Sequence, residues 1–181
     1  MALAAGVSEA TVFNYFASKE DLFFERLDRY GLDLVDAVAA RPAGESALAA
    51  FRRLLLGSGG LLGQAADDPR ARDRLRTVNR VIADSPALRA REELSYIGTA
   101  DALAARLPGD PLQARVVAHS LVAVQRSLVQ HVRARLLGGA ALSGGSSSGA
   151  AAGDLASDVA AKGEKAFALL ERGLGDYGIA A

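Results

Sequence analysis

The chain has 181 residues, half of them apolar, so it can bury one sizeable core and is too apolar for wholesale disorder. Its 21 basic and 21 acidic residues balance, so no global positive field attracts nucleic acid. There is no cysteine for disulfides or thiolate metal sites, no apolar run of the ~18 residues that span a membrane and no leader sequence, so we expect a cytoplasmic protein without membrane contacts.

The first predicted helices lie in the stretch GVSEATVFNYFASKEDLF, residues 6–23. Gly6 permits a sharp turn after a short helical fragment, and Ser8 is placed to cap the helix that follows. Because successive helical residues turn by about 100°, Val12 and Phe16 share one face and are expected to point into a core.

The opposite face of this short helix is unusual for an amphipathic helix. It presents Ala10 and Asn14, flanked by Thr11 and Phe13. Small residues let a helix enter a groove, an amide can bond an adenine edge, and a hydroxyl can bind phosphate. The pattern favours a helix–turn–helix whose second helix enters the major groove, although an aromatic-rich core helix at a domain edge would share these features.

Helix signals continue along the chain. Ser18 heads a capping box, and the pairs Asp68-Pro69, Ser85-Pro86 and Asp110-Pro111 each place a cap before a proline at the first helical position. The predicted helices cover about 19–40, 46–62 with a kink at the glycines 57–60, 69–83, 86–107, 111–137 and 154–174. The glycine- and serine-rich segment 138–153 is predicted to be a flexible loop. The predicted fold class is all-α.

The opening stretch resembles the DNA-binding region of TetR-family transcriptional repressors. The shared pattern is glycine-valine, a cap, threonine, an aromatic pair ending in phenylalanine, then lysine and leucine; it covers about residues 2–30. The resemblance implies an all-helical ligand-binding and dimerisation domain behind a helix–turn–helix. It also implies that the phosphates are held by Thr11, Tyr15 and Lys19, and that the bases are faced by Glu9, Ala10, Phe13 and Asn14.

In this family a further helix, usually basic, precedes the turn. Only residues 1–5 precede Gly6, and residues 1–40 carry three basic side chains against seven carboxylates. We therefore expect that first helix to be missing and operator binding by this chain to be weak. The alternative function is a ligand-binding dimer with little DNA binding of its own.

The segment 67–107 contains a D-D-P helix start at 67–69, arginines along that helix, and the helix start S-P-A-L-R-A-R at 85–91. In these features it is similar to the C-terminal domains of actinobacterial TetR-type regulators described as binding acyl-CoA-like ligands. This similarity implies a small apolar or acyl-CoA-like effector. The arginines of this segment invite a phosphate-binding interpretation, namely Arg70, Arg72, Arg74, Arg76 and Arg80. Exposed arginines one turn apart more often form a solvated face, however. His119 and His131 lie more than three turns apart on one predicted helix, so they cannot share a metal, and no metal or cofactor is expected.

The predicted helix 111–137 is apolar on more than one face, so it needs partners on both sides. One partner is the domain core, and the other is predicted to be a second subunit. Small residues in the last predicted helix permit close helix approach. The predicted homodimer interface consists of Val117, Leu121, Val124, Leu128, Ala160 and Gly163. The family resemblance implies a two-fold dimer formed by the last two helices, which matches a palindromic operator.

We interpret residues 1–40 as a truncated helix–turn–helix region with a connecting helix, and residues 41–181 as the helical ligand-binding and dimerisation domain. The predicted function is a ligand-responsive DNA-binding repressor. An enzyme is disfavoured because the sequence shows no nucleophile–base pair, metal-ligand cluster, phosphate-binding loop or usefully spaced pair of acids.

Overall fold

The computed structural model describes residues 19–57, 61–62, 68–138 and 150–173. Within these residues the chain forms six α-helices and no strand. The helices are α1 (Lys19–Ala39), α2 (Ala47–Leu56), α3 (Pro69–Asp84), α4 (Pro86–Ala104), α5 (Pro111–Gly138) and α6 (Ala150–Arg172). The predicted all-α fold class is confirmed.

The three predicted cap-and-proline starts begin α3, α4 and α5. Asp68, Ser85 and Asp110 each accept hydrogen bonds from amides of the first helical turn, at distances between 2.9 and 3.3 Å. The following proline sets a helical φ at a position where no intrahelical N–H bond is needed. The cap residue therefore fixes each start locally.

The predicted continuation of α2 through Leu61 and Leu62 is wrong. The helix ends at Leu56, and its C-cap Gly57 is extended at φ −71° and ψ 176°. The amide of Leu61 donates to the carbonyl of Leu55 at 3.0 Å, so the chain folds back onto the helix end. This bond satisfies a carbonyl that the ended helix leaves without an intrahelical partner.

Two other predicted boundaries shift. Helix α6 begins at Ala150, so residues 150–153 are helical rather than part of the predicted loop 138–153; residues 139–149 lie outside the described residues. The alanines at 150–152 favour helix strongly enough to carry it across Gly153. Helix α4 ends at Ala104, about one turn before the predicted end at Leu107.

Helices α1 and α4 run parallel. Arg91, in the second turn of α4, contacts Asp28 in the middle of α1, and Arg106, just after the end of α4, contacts Asp36 in the last turn of α1. Residue numbers therefore rise together along the two helices. Any displacement of α4 along its axis would act directly on α1.

Helices α4 and α5 run antiparallel. Glu93 contacts Arg126, and about two turns further along α4 Asp101 contacts His119, which lies earlier on α5. These two pairs fix which levels of α4 and α5 face each other.

The main core is formed by α1, α2, α4, α5 and α6. Its buried residues are Leu34, Val35, Val38, Ala50, Phe51, Leu55, Tyr96, Ala100, Leu103, Ala118, Leu121, Val122, Val124, Leu128 and Phe167. A second apolar cluster joins the end of α5 to the start of α6 and consists of Val132, Leu136, Leu155 and Val159. Leu155, Val159 and Phe167 thus place one face of α6 in the interior.

Candidate DNA-binding region and effector core

Six of the seven predicted DNA-contacting residues lie outside the described residues, namely Glu9, Ala10, Thr11, Phe13, Asn14 and Tyr15. The seventh, Lys19, is the first residue of α1. Ser18, the predicted capping position, lies outside the described residues. The roles of all seven residues stay predictions.

The junction between α1 and α4 is formed around Arg91. Its guanidinium donates to Asp28 Oδ2 at 2.6 Å and to Ser95 Oγ at 2.7 Å. The same guanidinium carbon lies 5.7 Å from the ring centroid of Phe24, which is buried in α1. A charge-assisted hydrogen bond and a cation–π contact therefore attach the start of α4 to α1.

A buried ion pair joins α3, α4 and α5. Arg133 binds Glu92 bidentately, with N–O distances of 2.6 and 2.9 Å, and their side chains are only 14% and 6% exposed. The Arg133 Nε also donates to Asn79 Oδ1 at 3.0 Å, and Asn79 Nδ2 donates to the Leu75 carbonyl. Each charge is thus compensated inside the protein, as burial requires.

Sequence reasoning did not single out this ion pair. Glu92 and Arg133 are 41 residues apart, and neither belongs to a motif with a defined spacing. Arginine and glutamate on helices are ordinarily solvent-exposed, so their pattern alone predicts a surface position.

Three buried polar groups form no hydrogen bond to any residue that the structure describes. They are the hydroxyls of Tyr30 and Tyr96 and the Oε1 of Gln125. Burial raises the pKa of Tyr30 to about 12. Burial, with a smaller contribution from the Glu92 carboxylate, also raises the pKa of Tyr96. Both phenols therefore stay protonated at neutral pH and keep a hydrogen to donate.

The five arginines of α3 lie mostly in solvent. Arg74 contacts Asp68 at 3.7 Å and Arg76 contacts Asp73 at 3.5 Å, with side chains between 45% and 77% exposed. Of the remaining three, Arg70 and Arg80 are exposed and Arg72 is half-buried. This distribution fits the interpretation of a solvated face better than that of a phosphate site.

The two histidines of α5 form separate acid–histidine contacts. His119 Nε2 lies 3.3 Å from Asp101 Oδ1, whereas His131 Nε2 lies 2.6 Å from Asp158 Oδ2 of α6. The hydrogen bond with His131 lowers the pKa of Asp158. His131 thus helps to hold α5 against α6. No group of three or more potential metal ligands occurs among the residues described.

The six residues predicted for the dimer interface occupy two environments. Leu121, Val124 and Leu128 are 0%, 8% and 4% exposed and belong to the core of the single chain. Gly163 is also buried, and a Cβ there would meet the Leu56 side chain. Those four positions are covered by their own protomer.

Val117 and Ala160 are the exposed members of the predicted interface, and Val117 keeps 42% of its surface. An apolar stripe indicates that a helix face is covered, but its periodicity does not say whether the cover is the same chain or another one. A second subunit therefore needs a surface other than the buried stripe of α5.

The described helices and the opening motif agree with the class expected from the sequence, a helical DNA-binding regulator. Residues 1–25 match the family model described as "Bacterial regulatory proteins, tetR family". This match supports a TetR-type DNA-binding motif in the first 25 residues of the chain. No curated protein and no solved structure gives a significant match to the chain.

Among the helices that the structure describes, none has the length and apolar character needed to cross a membrane.

Proposed function

We propose that the protein is a ligand-responsive transcriptional repressor that acts in the cytoplasm. Residues 1–40 would bind operator DNA and carry the connecting helix α1, while residues 41–181 would bind a small effector and form a homodimer. The observation that carries this proposal is the family match over residues 1–25, which contains the helix–turn–helix motif.

Within that motif, the proposed roles follow from side-chain chemistry. Thr11, Tyr15 and Lys19 would bind phosphates and so set the position of the helix without reading sequence. Asn14 would read an adenine edge through its amide, with Ala10 and Phe13 beside it against the bases. Glu9 would either accept from a cytosine amine or favour the helix N-terminus.

The Arg91–Asp28 contact supports a route from the effector to DNA. Helix α4 lines the main core, and α1 follows the DNA-binding motif directly in the chain. An effector that favours a different position of α4 would move α1 with it, because Arg91 joins the two helices. Repression would end when the two recognition helices of the dimer no longer match successive major grooves.

The exposed face of α5 supports the proposed homodimer. Seven residues at intervals of three and four lie on this face and carry no charge: Leu112, Val116, Ser120, Ala123, Ser127, Gln130 and Ala134. The hydroxyls of Ser120 and Ser127 donate to the carbonyls of Val116 and Ala123 in their own helix. We call these seven residues the uncharged face of α5.

An uncharged face of about six turns suits close packing against a second helix. Leu112 and Val116 remain 71% and 58% exposed in the single chain, so a partner subunit would bury substantial apolar surface there. Val117 and Ala160, from the predicted interface, would lie at its margin. The proposed partner is a second copy of the chain.

Selection from a random library of double-stranded DNA tests the proposed function. The purified chain should enrich a palindrome whose half-sites are about one helical turn apart, because a two-fold dimer presents two recognition helices. The Asn14→Ala variant is a matched control and should change the enriched base at one position of each half-site. A chain that enriches no sequence would instead be the alternative, a ligand-binding dimer with little DNA binding.

A further inference from the structure

The three buried polar groups without a partner lie at one level of the helical core. On α1, Tyr30 falls between Asp28 and Gly31, and the α4 residues opposite those two are Arg91 and Thr99. Tyr96 falls between Arg91 and Thr99. Because α1 and α4 run parallel, the two tyrosines occupy the same stretch of this helix pair.

The third group, the side-chain oxygen of Gln125 on α5, lies at the same level of the core. Tyr96 falls between Glu93 and Asp101 on α4, which contact Arg126 and His119 of α5. Gln125 lies between His119 and Arg126, and it is only 3% exposed. The antiparallel pairing therefore brings Gln125 to the stretch of the core that Tyr96 occupies.

Such a concentration of unsatisfied groups needs a physical reason. Buried polar atoms in folded proteins are nearly always hydrogen-bonded, because removing them from water without replacing the lost bonds opposes folding. Here two phenols and one amide oxygen, from three different helices, stand without a partner among the described residues. The nearby polar side chains Arg91, Glu92 and Arg133 bind other partners instead.

We propose that Tyr30, Tyr96 and Gln125 bind the polar head of the effector, and that this head is a neutral group that both donates and accepts hydrogen bonds. The inference rests on the proposed function, since it assigns the recognition chemistry of the effector-responsive core. The phenol hydrogens require an acceptor, and the Gln125 Oε1 requires a donor. An amide or hydroxyl head on an apolar body meets both requirements.

The charged residues near Tyr96 disfavour an effector with an ionised polar head. The carboxylate of Glu92 is already bound bidentately by Arg133, which also binds Asn79. A carboxylate head would find two phenol donors, but its charge would be buried beside Glu92 while Arg133 is already bound to that residue. An ammonium head would be buried against a carboxylate whose charge is already compensated.

Binding of a matched series of eight-carbon probes tests the proposal: octanamide, octanol, octanone and octanoate. Affinity for the full chain is measured by calorimetry without DNA. Octanamide and octanol should bind at least about tenfold more tightly than octanone, which cannot donate, and than octanoate, which is charged. Equal binding of octanamide and octanoate, or no binding of octanamide, would overturn the proposal.

Two core variants and one surface variant assign the binding to these residues. Tyr96→Phe and Gln125→Leu should each weaken octanamide binding about tenfold, the loss expected for one hydrogen bond to a buried group. Gln113→Leu makes the same change at an exposed position of α5 and should leave binding unchanged. Equal octanamide affinity in the wild type and both core variants would contradict the assignment.

Thermal unfolding without any probe gives a second readout. Tyr96→Phe removes a hydroxyl that has no partner among the described residues, so the unfolding temperature should stay the same or rise. A large fall would show that the hydroxyl is already satisfied and would overturn its proposed role. These results are independent of the operator selection: a chain that binds octanamide as described but enriches no DNA would retain this inference and lose the repressor function.

Discussion

Arg91 on α4 donates to the carboxylate of Asp28 on α1 across 2.6 Å, while the neighbouring residue of α4, Glu92, is bound by Arg133 in the core. Two consecutive residues thus join α1, the helix after the proposed DNA-binding motif, to the main core. Their side chains point to different neighbours because adjacent helical residues are about 100° apart. A change in the core that turns or shifts α4 acts on both contacts together.

Asp28→Asn should lower the free energy of unfolding by about 1 kcal/mol, since it weakens a half-buried, charge-assisted bond. Urea unfolding measures the change. Asp36→Asn is the matched control, because its pair with Arg106 also joins α1 to α4 but has side chains 68% and 57% exposed. That control should change stability by less than about 0.5 kcal/mol. Equal losses of unfolding free energy in the two variants would mean that partial burial does not strengthen the Arg91–Asp28 pair.

Two glycines in helix interiors should respond oppositely to alanine. A Cβ at Gly31 would overlap the hydroxyl of Thr99, which is buried and bonded to the Ser95 carbonyl. Gly31→Ala should therefore cost about 1–3 kcal/mol through overpacking between α1 and α4. Gly98 of α4 has open space where its Cβ would lie, so Gly98→Ala should gain about 0.5–1 kcal/mol.

Chemical denaturation of both glycine variants checks this difference in sign. A stabilised Gly31→Ala protein would show that α1 and α4 can separate without cost. In that case the close approach of the two helices would not be a determinant of the fold.

The His131–Asp158 contact makes part of the stability dependent on pH. The hydrogen bond from His131 lowers the pKa of Asp158 in the folded chain, so the folded state binds a proton at this site less readily than the unfolded state. Its contribution is fully present above the ordinary pKa of aspartate and is lost as the pH falls through the lowered folded value.

The titration of the Asp158 carboxyl carbon, followed by NMR, measures this effect. In His131→Gln the pKa of Asp158 should rise towards its ordinary value, because its main stabilising partner is removed. His119→Gln changes the other histidine of α5 and should leave the Asp158 titration where it was. An unchanged pKa in His131→Gln would assign the lowered value to Lys162 and Arg135, the other cations that act on this carboxyl.

The uncharged face of α5 gives a direct test of the homodimer. Val116→Asp places a charge on this face at a residue that is 58% exposed, so it should produce monomers without unfolding the chain. Val81→Asp makes the same change at a residue of α3 that is 43% exposed and should leave the dimer intact. Light scattering at micromolar concentration distinguishes the two results. A monomeric wild type, or a dimeric Val116→Asp variant, would contradict the proposed interface.

Local signals were sufficient for the starts of α3, α4 and α5, because a cap such as Asp110 acts only on the next turn. They failed at the start of α6, where the glycine- and serine-rich composition before residue 154 predicted a loop. They also failed at the end of α2, where the return of Leu61 to the Leu55 carbonyl depends on how the chain packs afterwards. Periodicity identified the apolar stripe of Leu121 but not what covers it, since the same pattern suits a core or a subunit interface.

The buried polar contacts could not be predicted from the sequence, for a different reason. Glu92 and Arg133 resemble surface residues until the antiparallel pairing of α4 and α5 buries them together. The position of Tyr96 and Gln125 at the same level of the core likewise follows only from how the helices pack. Contacts between distant residues are set by tertiary packing, and neither composition nor helical spacing records them.

The sharpest test of the DNA-binding proposal compares two residues of the motif. Asn14 is predicted to project opposite Val12 and Phe16, where its amide meets a base edge. Losing a bidentate adenine contact in Asn14→Ala should cost about 1–3 kcal/mol on the selected operator and relax the preference at one base pair in each half-site. Binding to random DNA should change little, because phosphate contacts remain.

Lys19 begins α1, and its ammonium is predicted to hold a phosphate without reading sequence. Lys19→Ala should therefore weaken the selected operator and random DNA alike, and reduce the slope of log affinity against log salt by about one unit for each phosphate that is no longer neutralised. Fluorescence anisotropy over a salt series measures both variants. If Asn14→Ala weakened all DNA equally while Lys19→Ala altered base preference, the proposed placement of this helix in the major groove would be wrong.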